Sequence, residues 1–500
     1  EDAQFTTTLF LHLFELAREL NFNILEELVQ AGSKLGWPET IFFEEALRVA
    51  GREAFGRSPG HLEKLFKPEK LTGRQLIPAE KLQPIDTETL VGMLQPGGNF
   101  SRHFPAFEHR EQQVNMLAAV AEAFNQGQHL IVEAGTGTGK SVGYLLPAMF
   151  WANENGRRVV VSTNTINLQD QLIHKDLPEL AHIVPFEVRA AILKGKRNYL
   201  CTRLFQQMRH SGPNNADEMI LYGRILVWLP NSESGDMAGI SLRTPGERLA
   251  WAKLNAENDV CTFDKCAQEN CPLHVARRRA EQSHILVVNH ALLLADIASE
   301  NKVLPEYLDL VVDEAHHLEA AVTDGLSFQG DQRYLESIME EINRPRAGLV
   351  ADVQRRAADA LPQELSVVFD TQANRLREIS QQTTTRLEEF FGTLGFFLQQ
   401  FTSRWSQYTQ QIRFVPEVRR QADFDQVVMA WENLNRQLKP IVEGFAKLAG
   451  GIADVSESYE IEDGEDLRLS LLNLARNLEE ARVNLDAMIA TPDEKMIYWA

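Results

Sequence analysis

Cysteine is scarce in this sequence, and long apolar runs are missing. The 500 residues include only four cysteines, a usage typical of a reducing compartment rather than of a disulfide-stapled secreted protein. No charged-apolar-small leader and no long uncharged apolar stretch marks secretion or membrane insertion. We therefore expect a cytoplasmic protein without membrane contact. The chain begins with Glu1 rather than Met, so we interpret it as a fragment.

Positive charge is also in deficit. The chain has 50 Lys and Arg against 70 Asp and Glu, a formal charge of −20, which excludes coating of nucleic acid through bulk attraction because net charge of this sign repels phosphate. Local charge differs: residues 188–210 contain no acidic residue, and Arg277, Arg278 and Arg279 follow closely. These stretches are either solvated faces or local contacts for nucleic acid. The basic residues of the first are Arg189, Lys194, Lys196, Arg197, Arg203 and Arg209.

Internal repeats and low-complexity tracts are absent, and the pattern of the chain changes several times. Residues 1–95 predict short helices and a connector. Residues 104–192 alternate helices with apolar runs, and HLIVEA and RRVVVSTNT predict buried parallel strands. The alternation stops over residues 195–282 and returns in HILVVNH and LDLVVDEAHH, so the intervening stretch predicts an insertion into an α/β sheet. Beyond residue 318 the spacing of apolar residues predicts an antiparallel helical bundle.

A glycine-rich segment, IVEAGTGTGKS at residues 131–141, follows one of these apolar runs. Its glycines let backbone N–H groups converge on a triphosphate, and the helix that follows adds positive potential at its N-terminus. Lys140 would reach the β and γ phosphates of ATP, and Ser141 would ligate Mg²⁺. The predicted loop consists of Ala134, Gly135, Thr136, Gly137, Thr138, Gly139, Lys140 and Ser141. Ala134 stands where the strict pattern has glycine.

An acidic pair ends another apolar run, in LDLVVDEAHH at residues 308–317. A magnesium-triphosphate site requires an acidic residue at a strand end, and hydrolysis requires a group that orients water. We expect Asp313 to hold Mg²⁺, Glu314 to polarise the attacking water and His316 to link the nucleotide site to a moving element. An acidic pair in this position can also be an ordinary helix start or surface turn. The glycine-rich segment upstream favours the catalytic interpretation.

AGTGTGKS and DEAH together resemble the motifs of superfamily 2 helicases. FEHREQQVNM is similar to their adenine-sensing Q motif, with Arg110 and Gln113 at the matching places. VVVSTNTINLQDQL resembles motif Ia, which meets the DNA backbone in that family. The DNA contacts that the resemblance implies are Thr163, Asn164, Lys196 and Arg197.

Three of the four cysteines lie in CTFDKCAQENC at residues 261–271, and Cys201 ends KGKRNYLC. Such thiols suit zinc, an iron-sulfur cluster or a reduced redox pair, and their wide spacing fits a cluster better than the tight CxxC typical of zinc. Followed by VVNHALLLAD, these segments resemble the DinG branch of the XPD-like iron-sulfur helicases over about residues 100–500. The resemblance implies that a [4Fe-4S] cluster is held by Cys201, Cys261, Cys266 and Cys271.

The resemblance also implies a fold class and a domain plan. The class is α/β, a P-loop RecA-like parallel sheet with an inserted iron-sulfur domain and an inserted helical arch domain. Residues 1–95 would be a helical linker or adaptor, preceded in some DinG-like proteins by an exonuclease domain. The remaining parts are RecA-like domain 1 at residues 96–193 and 284–319, the iron-sulfur insert at 194–283, the arch at 320–490, and a return to RecA-like domain 1 at 491–500.

By the same resemblance, the function is that of an ATP-dependent DNA helicase core that translocates 5′ to 3′ and acts in repair on single-stranded and forked DNA. Its cofactors would be ATP, Mg²⁺ and the cluster. Motifs of a second RecA-like domain have no counterpart before Ala500, so we expect this chain alone to bind ATP and to hydrolyse it slowly. One alternative is a nucleotide-gated iron-sulfur DNA-binding module without unwinding activity of its own. Another is an ATPase regulated by a cluster that senses oxidants.

Overall fold

The structure is a computed structural model that describes residues 2–53, 65–68, 73–104, 107–135, 137–257, 270–328, 330, 332–344, 348–401 and 412–500. These residues form two compact units. The first lies within Glu1–Glu257 and Thr262–Ser327, and the second lies within Phe328–Ala500. The first unit contains a parallel sheet, and the described elements of the second unit are almost entirely helical.

The helices of the first unit fall into an N-terminal group, a group around the sheet and a group in the insert. The N-terminal group is α1 Asp2–Arg18, α2 Phe22–Leu35, α3 Thr40–Glu53, α4 Thr87–Leu94 and α5 Asn99–His103. Two helices precede the sheet, α6 Glu111–Gln126 and α7 Lys140–Asn155, and α8 Ile166–Gln171 and α9 Leu177–Ala181 are joined by a π-helical turn, Leu172–Asp176. The others are α10 Thr202–Ser211, α11 Ala216–Trp228, α12 Pro245–Leu254, α13 Pro272–Glu281, α14 His290–Ala298 and α15 Leu318–Leu326.

The described strands of the first unit form one parallel sheet in the order β2-β3-β1-β4. The strands are β1 Val159–Thr163, β2 Ala190–Ile192, β3 Ile285–Asn289 and β4 Asp309–Val312. Successive residues of β1 point to opposite faces, where Val159 and Val161 pack in one apolar cluster and Val160 in another. The sheet is therefore covered on both sides, as continuous β-branched runs require. The α/β class and the strands in RRVVVSTNT, HILVVNH and LDLVVDEAHH are confirmed.

The prediction of a buried strand in HLIVEA is wrong for this structure. Residues 129–134 have no strand assignment, and the side chain of Ile131 is 98% exposed. A parallel strand needs a neighbour for its backbone hydrogen bonds, and no described strand pairs with this segment. Strand β4 is an edge of the sheet, and Leu310 within it is 42% exposed.

The N-terminal helices pack on the insert that contains the cysteines. Ile24 and Leu28 of α2 share an apolar cluster with Phe205 of α10. The carboxylate of Glu27 accepts two hydrogen bonds from the guanidinium of Arg209, at 2.6 and 2.7 Å. Because the apolar and charged contacts coincide, α2 and the insert form one packed layer.

The second unit is built around three long helices. Its described helices are α16 Gln332–Asn343, α17 Leu349–Ala360, α18 Gln363–Gln399, α19 Pro416–Arg419, α20 Phe424–Ser456 and α21 Gly464–Ile489. Their shared core includes fully buried Phe390, Trp431 and Phe445, and the indole N–H of Trp431 donates to Asp486 over 2.8 Å. The helical prediction for this region is confirmed.

The last residues of the chain belong to this second unit. The backbone N–H of Ala500 donates to Ile412 over 2.9 Å, and Trp499 forms an antiparallel bridge with Arg413. The expected return of residues 491–500 to RecA-like domain 1 stays a prediction. Of the helices in the described ranges, none combines the length and apolar character needed to cross a lipid bilayer.

Candidate nucleotide-binding site

The glycine-rich loop turns into α7 through two left-handed glycines. Gly137 and Gly139 both have a φ of +79°, which is strained for a residue with a Cβ, and a Cβ on Gly139 would collide with Nε2 of Gln113. The first N–H groups of α7 lack intrahelical acceptors, so this helix end favours an anion. Thr136 lies outside the described residues. The other predicted loop residues occupy the same segment: Ala134, Gly135, Thr138, Lys140 and Ser141.

The two predicted adenine-sensing residues contact this loop directly. Gln113 in α6 is buried, and its Nε2 donates to the carbonyl of Gly139 over 3.1 Å. The guanidinium of Arg110 donates to the carbonyl of Gly137 and pairs with Glu108 at 3.0 Å. Both side chains therefore occupy loop carbonyls, which leaves the loop N–H groups for a phosphate.

The loop and the DEAH segment meet through an ion pair. Nζ of Lys140 lies 2.7 Å from Oε1 of Glu314, and Nδ1 of His316 lies 3.5 Å from Oε2 of the same carboxylate. The hydrogen bond between them raises the pKa of Lys140 and lowers that of Glu314. Glu314 has a φ of +53°, so the turn after β4 is held in a left-handed conformation. The structure thus brings the three predicted catalytic side chains together.

Asp313 precedes this turn and is half-buried. Burial, and then the charge of Glu314, raise the pKa of the Asp313 carboxyl. The hydroxyl of Tyr144, from α7, is buried close to Asp313 and Ser141, and burial raises the pKa of Tyr144 well above its ordinary value. Tyr144 was not among the predicted site residues. Its only signal in the sequence is its position one helical turn after Lys140.

Two further side chains at the strand ends were also missed. Ser162 in β1 and His290 at the start of α14 are fully buried, and their Oγ and Nδ1 atoms are hydrogen-bonded at 2.8 Å. The backbone N–H of Asp313 donates to the carbonyl of Ser162 over 2.8 Å. Burial lowers the pKa of His290, so the ring is neutral at ordinary pH.

The cysteines are described only in part. Cys201 and Cys271 are buried and directly precede α10 and α13, whereas Cys261 and Cys266 lie outside the described residues. The backbone around Cys201 is fixed by its own N–H, which donates to Leu254 over 2.8 Å. Within the described ranges, no three His, Cys, Asp or Glu side chains are grouped to hold a metal ion.

The residues predicted to contact DNA have different environments. Thr163 is fully buried, and Asn164 beside it is half-buried. Lys196 is half-buried, while the side chain of Arg197 is 78% exposed and pairs with Glu257 at 2.7 Å. In this structure, Arg197 is the most open of the four.

The basic stretch around these residues is not a uniform surface. Nζ of Lys194 is buried and lies 3.0 Å from Asp170 and 3.4 Å from Asp236. Asp170 belongs to α8, which follows β1, and Asp236 precedes a 3₁₀ turn of the insert. Lys194 therefore connects the sheet side of the unit to the insert.

Comparison with known proteins identifies the class. Residues 112–209 match the DEAD/DEAH box helicase family, a range that runs from α6 through the glycine-rich loop and β1 into α10. With the parallel sheet and the Lys140–Glu314 contact, this match shows that the chain carries a DEAD/DEAH box helicase domain.

Curated relatives narrow the family. The chain is 37% identical over 226 residues to the 3′-5′ exonuclease DinG of Bacillus subtilis, covering 45% of this chain and 24% of that protein. It is 32% identical over 277 residues to the ATP-dependent DNA helicase YoaA of Escherichia coli, covering 54% and 43%. It is 38% identical over 234 residues to the ATP-dependent helicase DinG of Mycobacterium tuberculosis, covering 43% and 35%. The chain belongs to the DinG-type helicases, and the matches span less than half the length of each relative.

Proposed function

We propose that the chain is the ATP-binding part of a DNA helicase, which hydrolyses ATP to translocate on DNA and unwind it. The observation that carries the proposal is the 2.7 Å ion pair between Lys140 and Glu314, which are 174 positions apart in the sequence. It unites a phosphate-binding loop with an acidic strand end, the two parts that phosphoryl transfer to water needs. The names of the relatives, two of which are ATP-dependent helicases of the DinG and YoaA types, support it.

The side chains of the site divide the work of hydrolysis among them. On ATP binding, Lys140 would exchange Glu314 for the β and γ phosphates, and the released carboxylate would orient the attacking water. Ser141 and Asp313 offer the oxygen ligands that Mg²⁺ prefers, and the buried Asp313 carboxyl, with its raised pKa, gains from a nearby cation. Bound Mg²⁺ would supply neutralisation of phosphate charge. Arg110 and Gln113 would keep the loop in shape while the adenine binds beside them.

We also propose that Cys201, Cys261, Cys266 and Cys271 hold a [4Fe-4S] cluster in an insert at residues 194–283. Cys201 and Cys271 support this because both are buried and both precede a helix N-terminus, where partial positive charge favours a thiolate. The cluster would tie the segments of the insert together. An anaerobic preparation of the full-length protein should show a broad absorption band near ~400 nm and about four irons per chain. Stoichiometric zinc without iron would contradict the assignment.

Single-stranded and forked DNA are the proposed substrates. The motif Ia segment with Thr163 and Asn164, and the open guanidinium of Arg197, support contact with the DNA backbone, since arginine binds phosphate well. The resemblance to XPD-like helicases supports 5′ to 3′ movement, a role in repair, a cytoplasmic location and an arch domain at residues 320–490.

The test is DNA-stimulated ATP hydrolysis by the full-length protein and its Lys140→Ala variant. We expect Lys140→Ala to reduce the rate by ~100-fold or more, because transition-state charge loses its fixed cation. Lys302→Ala, at an exposed lysine that pairs only with nearby Glu300, is the matched control and should be normal. Full activity in Lys140→Ala would refute the mechanism. ATP-dependent DNA binding without strand displacement would instead support a nucleotide-gated binding module.

A further inference from the structure

Buried polar atoms are concentrated where strands β1 and β3 end beneath the DEAH turn. Ser162, Thr163 and His290 are all fully buried. Oγ of Ser162 and Nδ1 of His290 are 2.8 Å apart. Oγ1 of Thr163 and Nε2 of His290 have no hydrogen-bond partner among the described residues. Placing polar atoms in an apolar core is unfavourable unless other groups engage them, so this cluster calls for an explanation in terms of its neighbours.

Those neighbours are the two acidic residues of the nucleotide site. The carbonyl of Ser162 accepts the backbone N–H of Asp313 over 2.8 Å. The ring of His290 lies within electrostatic reach of the backbone of Asp313 and Glu314. Ser162 therefore contacts the first residue of the turn through its backbone and His290 through its side chain, and the imidazole spans the distance from Ser162 to the turn.

The turn needs such support. Glu314 has a φ of +53°, an unfavourable conformation for a residue with a Cβ that persists only where surrounding contacts hold it. Its carboxylate is also exchanged between partners, because the ion pair with Lys140 must open when ATP binds. A carboxylate that changes partner keeps a defined position only if its backbone is fixed from below.

We propose that Ser162 and His290 are positioning residues, which hold the Asp313–Glu314 turn in the geometry required for ATP hydrolysis. This inference rests on the proposed function. Neither side chain would touch ATP or the attacking water. Nδ1 of His290 is fixed by Ser162, and the opposite edge of the ring, with Nε2, faces the turn. Loss of either contact should therefore impair the chemical step more than the binding of ATP.

The variants are chosen to separate the two edges of the imidazole. Ser162→Ala removes the hydroxyl with little change in volume. His290→Asn keeps a polar atom near the Nδ1 position and removes the Nε2 edge, whereas His290→Gln keeps a polar group near Nε2. Ser283→Ala is the matched control, because Ser283 is a buried serine that precedes β3 at the other end of the sheet and bonds only to Ala280 at 2.8 Å.

Two measurements on the full-length protein decide the matter. In the first, kcat for ATP hydrolysis should fall ~10-fold in Ser162→Ala and His290→Asn, with the Kd for ATP changed by less than ~2-fold, and His290→Gln should recover part of the loss. Ser283→Ala should keep the parent kcat. A kcat for Ser162→Ala equal to that of Ser283→Ala, or a parallel loss of ATP affinity, would overturn the inference.

The second measurement does not depend on ATPase activity. Amide hydrogen exchange in a peptide covering residues 309–317 should be faster in Ser162→Ala and His290→Asn than in the parent, and unchanged in Ser283→Ala. If the parent and Lys140→Ala proteins hydrolyse ATP equally, the proposed function fails, while exchange still reports whether the turn is held. Unchanged exchange in Ser162→Ala and His290→Asn would refute the positioning role in either case.

Discussion

Replacing Glu314 with glutamine should strengthen ATP binding while it abolishes hydrolysis. In the nucleotide-free structure, the Glu314 carboxylate holds Nζ of Lys140 at 2.7 Å, and ATP must displace it. Glu314→Gln keeps the shape of the side chain and removes the charge. Lys140 is then available to the phosphates without first breaking an ion pair, but no carboxylate remains to orient water.

The size of the effect follows from the exposure of the pair. Both side chains are 28% exposed, so solvent screens the attraction and its net value is about 1 kcal/mol rather than the several kcal/mol of a fully buried pair. Removing that competition should lower the Kd for ATP by ~5-fold, since 1.4 kcal/mol corresponds to tenfold. The gain should shrink as salt is raised. The rate of hydrolysis should fall by ~100-fold or more.

The assay is a fluorescence titration with an ATP analogue at low and high salt, followed by steady-state hydrolysis. Glu319→Gln is the control, because it changes the net charge equally at an exposed position in the next helix. Equal tightening in both variants would show a general charge effect. Weaker ATP binding by Glu314→Gln would refute the view that the Lys140–Glu314 pair competes with nucleotide.

Two further predictions concern stability, measured by urea unfolding of the full-length protein. Lys194→Met should lower the free energy of unfolding by about 3 kcal/mol, since it leaves buried Asp236 without its cation, whereas Arg197→Met, at an exposed pair, should change it by less than ~1 kcal/mol; equal losses would contradict this reasoning. The second concerns His284, where burial lowers the pKa from 6.5 to about 4. The unfolded state binds this proton more readily, so stability present above pH ~6.5 is lost as pH falls towards ~4, by about 1 kcal/mol between pH 7 and 5 after allowance for solvent. His284→Asn should reduce that loss, and an unchanged pH dependence would disprove it.

The strands that could be predicted from sequence are those whose burial is complete. In β1, β-branched residues are covered on both faces, so the apolar run alone indicates the environment. HLIVEA has the same texture, yet Ile131 is 98% exposed. Strand formation there depends on a hydrogen-bonding neighbour, and the sequence of a segment does not encode the presence of that neighbour.

The nucleotide site was predictable where spacing determines geometry. The contact between Lys140 and Glu314 follows from two motifs with known roles. Tyr144 and His290 follow no such spacing, because a tyrosine or histidine beside apolar residues has the pattern of ordinary core. Likewise Lys194 and Arg197 are close in one basic stretch, and only the fold shows that one is buried between carboxylates and the other is open.

The packing of α2 on the insert affects how this protein can be cut. A shortened version that starts near residue 95 would remove Ile24 and Leu28 from the apolar cluster that includes Phe205, and would leave Arg209 without Glu27. The freshly bared surface would promote aggregation. Any shortened version for crystallisation, and any transplant of the cysteine region into another motor, should therefore carry the N-terminal helices along with the insert.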